Sequence, residues 1–170
     1  LYAQQEFLAL GPLFLLVSYV VSMQSALQRL LERERELSGT DPLTGLMNRR
    51  AFNEQVEKEI LRAKRYGHIF SIAYMDLDDF KEVNDRRGHA AGDLLLQFVA
   101  TTLYGGLRSS DSLARLGGDE FALLLPETGA EAAMSVMAKS LERLSRIMRS
   151  GEAPLRASIG LLTCYKPPES

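Results

Sequence analysis

The sequence predicts an α/β (α+β) domain behind a separate N-terminal helical segment. Three observations carry this. Apolar runs and amphipathic stretches succeed one another as β-α-α-β-β-α-β, which calls for a sheet, read as mixed, with helices packed on it. A Gly-Gly pair, Gly117-Gly118, stands between two apolar runs as a hairpin does. Thr40-Asp41-Pro42 interrupts a long helical pattern near the start. The 170 residues leave room for one ordinary domain and an extension, and 46% hydrophobic with 25% charged residues is normal for a globular chain. A formal charge of −2 argues against a nucleic-acid partner. A single cysteine, Cys164, excludes an internal disulfide and reads as core, and with two histidines a structural zinc site is not expected.

From the N-terminus, Phe7 to Met23 carries no charge; Arg29, Arg33 and Arg35 come after it, and no Lys or Arg precedes it. Residues 1–23 are therefore read as the end of a transmembrane segment, with the downstream residues on the cytoplasmic side. The alternative is a buried or interfacial helix of a preceding sensor. Residues 24–39 read as a coiled-coil-like linker: Met23, Leu27, Leu30 and Leu37 take heptad positions a, d, a and a, with Glu34 at the other d. Residues 40–170 form the domain. Arg49 to Tyr66 is a helix with Phe52, Val56, Ile60 and Ala63 on one face. His68 to Met75 is a buried strand, central because it is apolar on both faces. Asp78 to Arg86 is a short helix, and Ala91 to Tyr104 a helix carrying Leu95, Val99 and Leu103. Leu113 to Leu116 and Phe121 to Leu125 make the hairpin. Glu131 to Arg149 turns Met137, Leu141, Leu144 and Met148 inward, and Leu155 to Cys164 is the last strand.

Carboxylates gather at two strand ends. Asp76 and Asp78 close the central strand; Asp119 and Glu120 come directly after the glycines. Acidic residues are poor strand formers, so local stability does not favour them there. A glycine tip lets a bulky anion approach the backbone, and an adjacent carboxylate can hold a metal. If the two strands are neighbours, Asp76 and Asp119 converge and repel unless a cation intervenes. Mg²⁺ suits such a set, and two ions could clamp a triphosphate for in-line displacement. The simpler reading of Asp76 and Asp78 is N-capping of the next helix; Asp78 is expected to cap.

Four blocks in order are similar to the GGDEF domain family, the diguanylate cyclases: Asp41-Pro42-Leu43-Thr44-Gly45-Leu46-Met47-Asn48-Arg49-Arg50, Tyr74-Met75-Asp76-Leu77-Asp78-Asp79-Phe80-Lys81, Asn84-Asp85-Arg86-Arg87-Gly88-His89-Ala90-Ala91-Gly92-Asp93, and Arg115-Leu116-Gly117-Gly118-Asp119-Glu120-Phe121. The resemblance covers roughly residues 38 to 165. It implies a ferredoxin-like, palm-type nucleotidyl cyclase fold with a mostly antiparallel central sheet. It implies condensation of two GTP into cyclic di-GMP with release of two pyrophosphates, in a homodimer with one GTP per subunit, because each 3′-hydroxyl must reach the partner's α-phosphate. It further implies Mg²⁺ or Mn²⁺, two per half-site, on Asp76, the Leu77 carbonyl, Asp119 and Glu120, with Asp119 and Glu120 as the catalytic acids. Asn84 and Asp93 match the guanine-reading pair. Phe80, Lys81, His89, Gly117 and Gly118 match positions around the nucleotide. Taken alone, Asn84 reads as a helix C-terminal residue and Asp93 as a first-turn acid. Arg108 and Asp111 match an Arg-x-x-Asp product-binding inhibitory site; the alternative is a surface ion pair. The resemblance places the protein at the bacterial inner membrane with its domain in the cytoplasm. The family continues beyond a strand like Leu155–Cys164 with a cationic helix and a final strand. The domain is thus read as lacking both, and the chain as impaired or inactive. The competing readings are a regulatory module that binds GTP or cyclic di-GMP without efficient catalysis, and a membrane-tethered scaffold.

Overall fold

The computed structural model describes residues 12–28, 38–148 and 156–166. The chain divides into two compact units, Leu1–Ser38 and Gly39–Ser170. In the first, residues 12–28 form helix α1, which exposes Leu13, Phe14, Leu15, Leu16, Tyr19, Met23 and Leu27. Among the described residues no helix is long and apolar enough to cross a membrane. The expected span begins outside the described residues, and the heptad positions Leu30, Glu34 and Leu37 lie outside them too.

The second unit contains α2 (Arg49–Tyr66), β1 (Phe70–Leu77), α3 (Phe80–Arg87), α4 (His89–Tyr104), β2 (Ser112–Gly117), β3 (Glu120–Pro126), α5 (Ala130–Met148) and β4 (Ala157–Cys164). Helix α2 has the predicted limits because the Asn48 side chain accepts from the Ala51 amide at 2.9 Å, an N-cap worth about 1 kcal/mol. The sheet runs β2-β3-β1-β4, so β1 is central as its two-sided apolarity predicts. Each pairing of these strands is antiparallel, not mixed.

Alternation along β1 and β3 divides the core into two clusters. Ala73, Met75, Leu77, Phe121 and Leu123 pack with Leu96, Val99 and Leu103 of α4 and with Met137 and Leu144 of α5. Phe70, Ala114, Ala122 and Leu124 pack on the other side with Phe52 and Ala63 of α2. Truncating one of these, Leu103→Ala for instance, costs about 2–5 kcal/mol. The sheet is thus flanked by helices on both faces. Tyr74 and Asp76 fall on the α2 side by alternation, yet Tyr74 remains exposed and Asp76 only half-buried. The predicted inward face of α5 holds at Met137 and Leu144, with Leu141 partly buried.

Three features differ from expectation. Strand β1 extends through Leu77, because β4 continues to pair with it at Asp76 and Leu77. Helix α4 begins at His89, which leaves Asp93 beyond the first turn. Glu59, on the inward side of α2, is buried with 4% exposure; its Oε1 meets His68 Nε2 at 2.8 Å, and Arg62 reaches it at 3.7 Å.

Candidate active site

Strand pairing assembles the acidic edge. Asp76 lies opposite Glu120 on β3 and opposite Ser158 on β4. The amide of the buried Leu77 donates to the Asp119 carbonyl at 3.3 Å, which brings Asp119 to the end of β1. Asp76 thus meets Asp119 and Glu120, more than forty positions later in the chain, at one sheet edge. Partial burial raises the Asp76 pKa above its ordinary value, and the charges of Asp119, Glu120 and Asp78 raise it further.

Glu120 is held by cationic and phenolic partners. Arg49 Nη2 lies 3.0 Å from Glu120 Oε2, while Arg49 Nε donates to the Leu116 carbonyl at 3.1 Å. Hydrogen bonding toward Glu120, then desolvation and the glutamate's charge, raise the pKa of the Tyr74 phenol. Among the described residues no three His, Cys, Asp or Glu side chains form a ready-made cation cage. Like-charged carboxylates have no cause to close on one another without a cation, and here Glu120 turns to Arg49. The donor set still suits Mg²⁺, which takes one or two carboxylates and fills its remaining positions with water and phosphate oxygens.

The hairpin corrects the expected turn. Gly117 pairs with Glu120 and the ladder shifts register between Arg115 and Gly117, so Gly118 and Asp119 form the tip. Gly117 (φ 146°) and Gly118 (φ 53°) both take positive φ, but they do not form the central pair of the turn. A bulge absorbs the extra residue and sets Asp119 in the bend itself. Asp78 is not the cap of α3. Its Oδ1 accepts from Ser158 Oγ at 2.8 Å, and its amide donates to the Arg156 carbonyl at 3.0 Å. Asp79 takes the N-cap position in a left-handed conformation (φ 59°), with no side-chain capping bond. Phe80 and Lys81 open α3, ahead of the first helix bond, which the Glu82 amide donates to the Asp79 carbonyl at 2.9 Å.

The helices that carry the base-reading candidates also adjoin. Asn84 lies half-buried on α3 with its carboxamide against Gly92, whose neighbour is the exposed Asp93. His89 is exposed at the first position of α4. Arg108 and Asp111 lie apart from this group, in the turn before β2. There Asp111 Oδ2 accepts from the Arg108 amide at 2.9 Å, a backbone-to-side-chain bond rather than the alternative surface ion pair.

A second corner adjoins the hairpin through Arg115. Asp41 Oδ1 accepts from the Thr44 amide at 2.9 Å, the Thr44 hydroxyl at 2.6 Å and Arg115 Nη1 at 3.1 Å. Arg115 Nε also donates to the Gly118 carbonyl at 2.9 Å. Sequence reasoning assigned no role to Arg49, Tyr74, Asp41 or Arg115. Tyr74 was the most accessible to it: two residues before Asp76, it must share that residue's face.

A sheet with helices on both faces, with acids converging from β1 and a glycine bend at one end, has the palm-type nucleotidyl cyclase fold. The family model for the diguanylate cyclase GGDEF domain matches residues 38–170. Diguanylate cyclase DgcP of Pseudomonas aeruginosa is 43% identical over 145 residues, 84% of this chain and 21% of the relative. Diguanylate cyclase TpbB of the same species is 42% identical over 120 residues, 71% of this chain and 26% of the relative. The chain thus spans about a fifth to a quarter of the length of these relatives. The crystal structure of the coiled coil and GGDEF domain of DgcB from Caulobacter crescentus, in complex with c-di-GMP, superposes with a TM-score of 0.72 at 29% identity, covering 91% of this chain and 83% of that one. The chain belongs to the diguanylate cyclase GGDEF domain family.

Proposed function

We propose that this domain condenses two GTP molecules into cyclic di-GMP, releasing two pyrophosphates, as a two-fold dimer with one GTP per subunit. The observation that carries the reading is the meeting of Asp76, Asp119 and Glu120 at the bend, where the Asp76 charge is destabilised by burial and by its acidic neighbours. An acid held in that state is a functional-site signature, because its structural surroundings work against its charge.

Asp76, the Leu77 carbonyl, Asp119 and Glu120 would hold two Mg²⁺ or Mn²⁺ ions. Bound there, the metal supplies charge neutralisation for the triphosphate and polarises phosphorus. Asp119 takes the proton of the 3′-hydroxyl as its oxygen attacks the α-phosphate held by the partner subunit; pyrophosphate leaves as the phosphodiester forms. Amides of Phe80 and Lys81 donate to phosphate oxygens at the start of α3. Gly117 and Gly118 leave room for the nucleotide, and His89 borders it. Asp93 accepts from guanine N1–H and N2–H₂, while the Asn84 amide donates and accepts on the same base. Adenine would leave those groups unpaired and be rejected. Arg108 and Asp111 would bind the product for feedback, Arg108 through its guanidinium fork. The uncharged Phe7–Met23 run supports a membrane anchor with the domain on the cytoplasmic side and a helical linker setting how two domains face.

The test is incubation with GTP and Mg²⁺ followed by chromatography. Cyclic di-GMP that disappears with Asp119→Ala supports the reading. Product that survives Asp119→Ala contradicts it.

A further inference from the structure

Gly92 lies within α4, in helical backbone, although glycine is the poorest helix former after proline. A glycine kept inside a helix calls for a packing reason, and here there is one. A Cβ at Gly92 would stand 2.0 Å from Asn84 Oδ1, 3.0 Å from Asn84 Cγ and 3.1 Å from Phe80 Cζ. Helices α3 and α4 are separated by Gly88 alone, and the Gly88 amide donates to the Asn84 carbonyl at 2.8 Å, so the two helices are closely tethered here. The obstructing atoms are the end of a short, rotatable side chain and the rim of a ring. A methyl at 92 would therefore be relieved by rotating the Asn84 carboxamide away, while the backbone stays in place.

We propose that Gly92 is a positioning residue for nucleobase selection. By offering a bare Cα, it seats the Asn84 carboxamide beside Asp93 and the Phe80 ring at the start of α3. The inference rests on the reading that Asn84 and Asp93 recognise guanine. It adds that the selectivity of the site is set by a residue with no side chain, one that touches no substrate.

The experiment is equilibrium binding of GTP and of ATP, with Mg²⁺, to the full chain and to Gly92→Ala, Asn84→Ala and the double variant, with thermal melting of each. Gly92→Ala is expected to weaken GTP binding by about tenfold, most of the effect of Asn84→Ala, with ATP binding unchanged. In the Asn84→Ala background the same substitution should cost no further affinity and should lower the melting temperature less than it does in the parent, because the obstructed carboxamide is gone and only the Phe80 ring must still give. Wild-type GTP affinity in Gly92→Ala alongside a weakened Asn84→Ala overturns the inference and leaves the guanine reading standing. Wild-type affinity in Asn84→Ala shows instead that the guanine reading has failed. Should Gly92→Ala alone fail to fold, recovery of folding in the double variant supports the contact, and an unfolded double variant overturns it.

Discussion

Asp41 and Asp76 are both half-buried aspartates in the same small domain, and their surroundings push them in opposite directions. Burial alone would raise the pKa of each. At Asp41 that effect is outweighed by the hydroxyl and amide of Thr44 and by the charge and hydrogen bond of Arg115, so the carboxyl is held below its ordinary value. At Asp76 nothing outweighs it: burial is joined by Asp119, Glu120 and Asp78, and the carboxyl is held above its ordinary value. One acid is a fastening and the other is an unmet demand for positive charge. The contrast separates a stabilising polar cluster from a candidate functional one without reference to any motif.

The sharpest way to break this comparison is to remove each acid. Asp76→Asn should reduce cyclic di-GMP formation by about 10³-fold, as loss of a transition-state electrostatic group does, when product is followed by chromatography. In metal-free buffer at neutral pH the same variant should melt higher than the parent, because a charge disfavoured by burial and by its acidic neighbours is gone. Asp41→Asn should do the reverse in stability. It leaves Arg115, whose side chain is only 13% exposed, with a weaker partner, and should cost about 2 kcal/mol in urea unfolding.

Acid titration sharpens the same pair. The folded pKa of Asp41 lies below its ordinary value of 3.8, so its contribution is full above that value and is lost as pH falls through the folded pKa. Asp76 runs the other way: its folded pKa is raised, so lowering the pH through that value relieves a destabilising charge. Stability curves against pH should therefore lose part of their acid limb in Asp41→Asn and gain at neutral pH in Asp76→Asn. The smallest effect is expected at Arg49. Its side chain is 57% exposed, so Arg49→Gln should change stability by about 0.5 kcal/mol or less, while moving the metal concentration needed for half-maximal activity, because Glu120 loses its competing partner.

Much of this was legible in the chain. Helix α2 could be bounded because its cap is local: Asn48 lies three residues before the amide it satisfies. The inward faces of α4 and α5 emerge from helical spacing, and the convergence of Asp76 with Asp119 is expected once the two apolar strands are neighbours. The features that escaped depended on partners remote in sequence. Strand β1 includes Asp76 and Leu77 because β4, about eighty residues later, pairs with them, and the same strand's Ser158 claims Asp78 that local rules would assign to a cap. A glycine pair announces a bend but not its register; the bulge before Gly117 decided that Asp119 stands at the tip. Glu59 occupies an inward position of α2 that polarity argues against, and is accommodated by His68 and Arg62. The reason for Gly92 lies in Asn84 on another helix, a contact that composition and periodicity do not register.

Calorimetric titration of GTP into the chain, with Mg²⁺ and then with the metal chelated, tests the central claim most directly when the parent is set beside Asp76→Asn. If Asp76, Asp119 and Glu120 hold a metal–triphosphate assembly, the parent binds GTP in a metal-dependent manner and Asp76→Asn weakens that binding by about 10²-fold. GTP binding of equal strength with and without metal, in both proteins, would contradict the account.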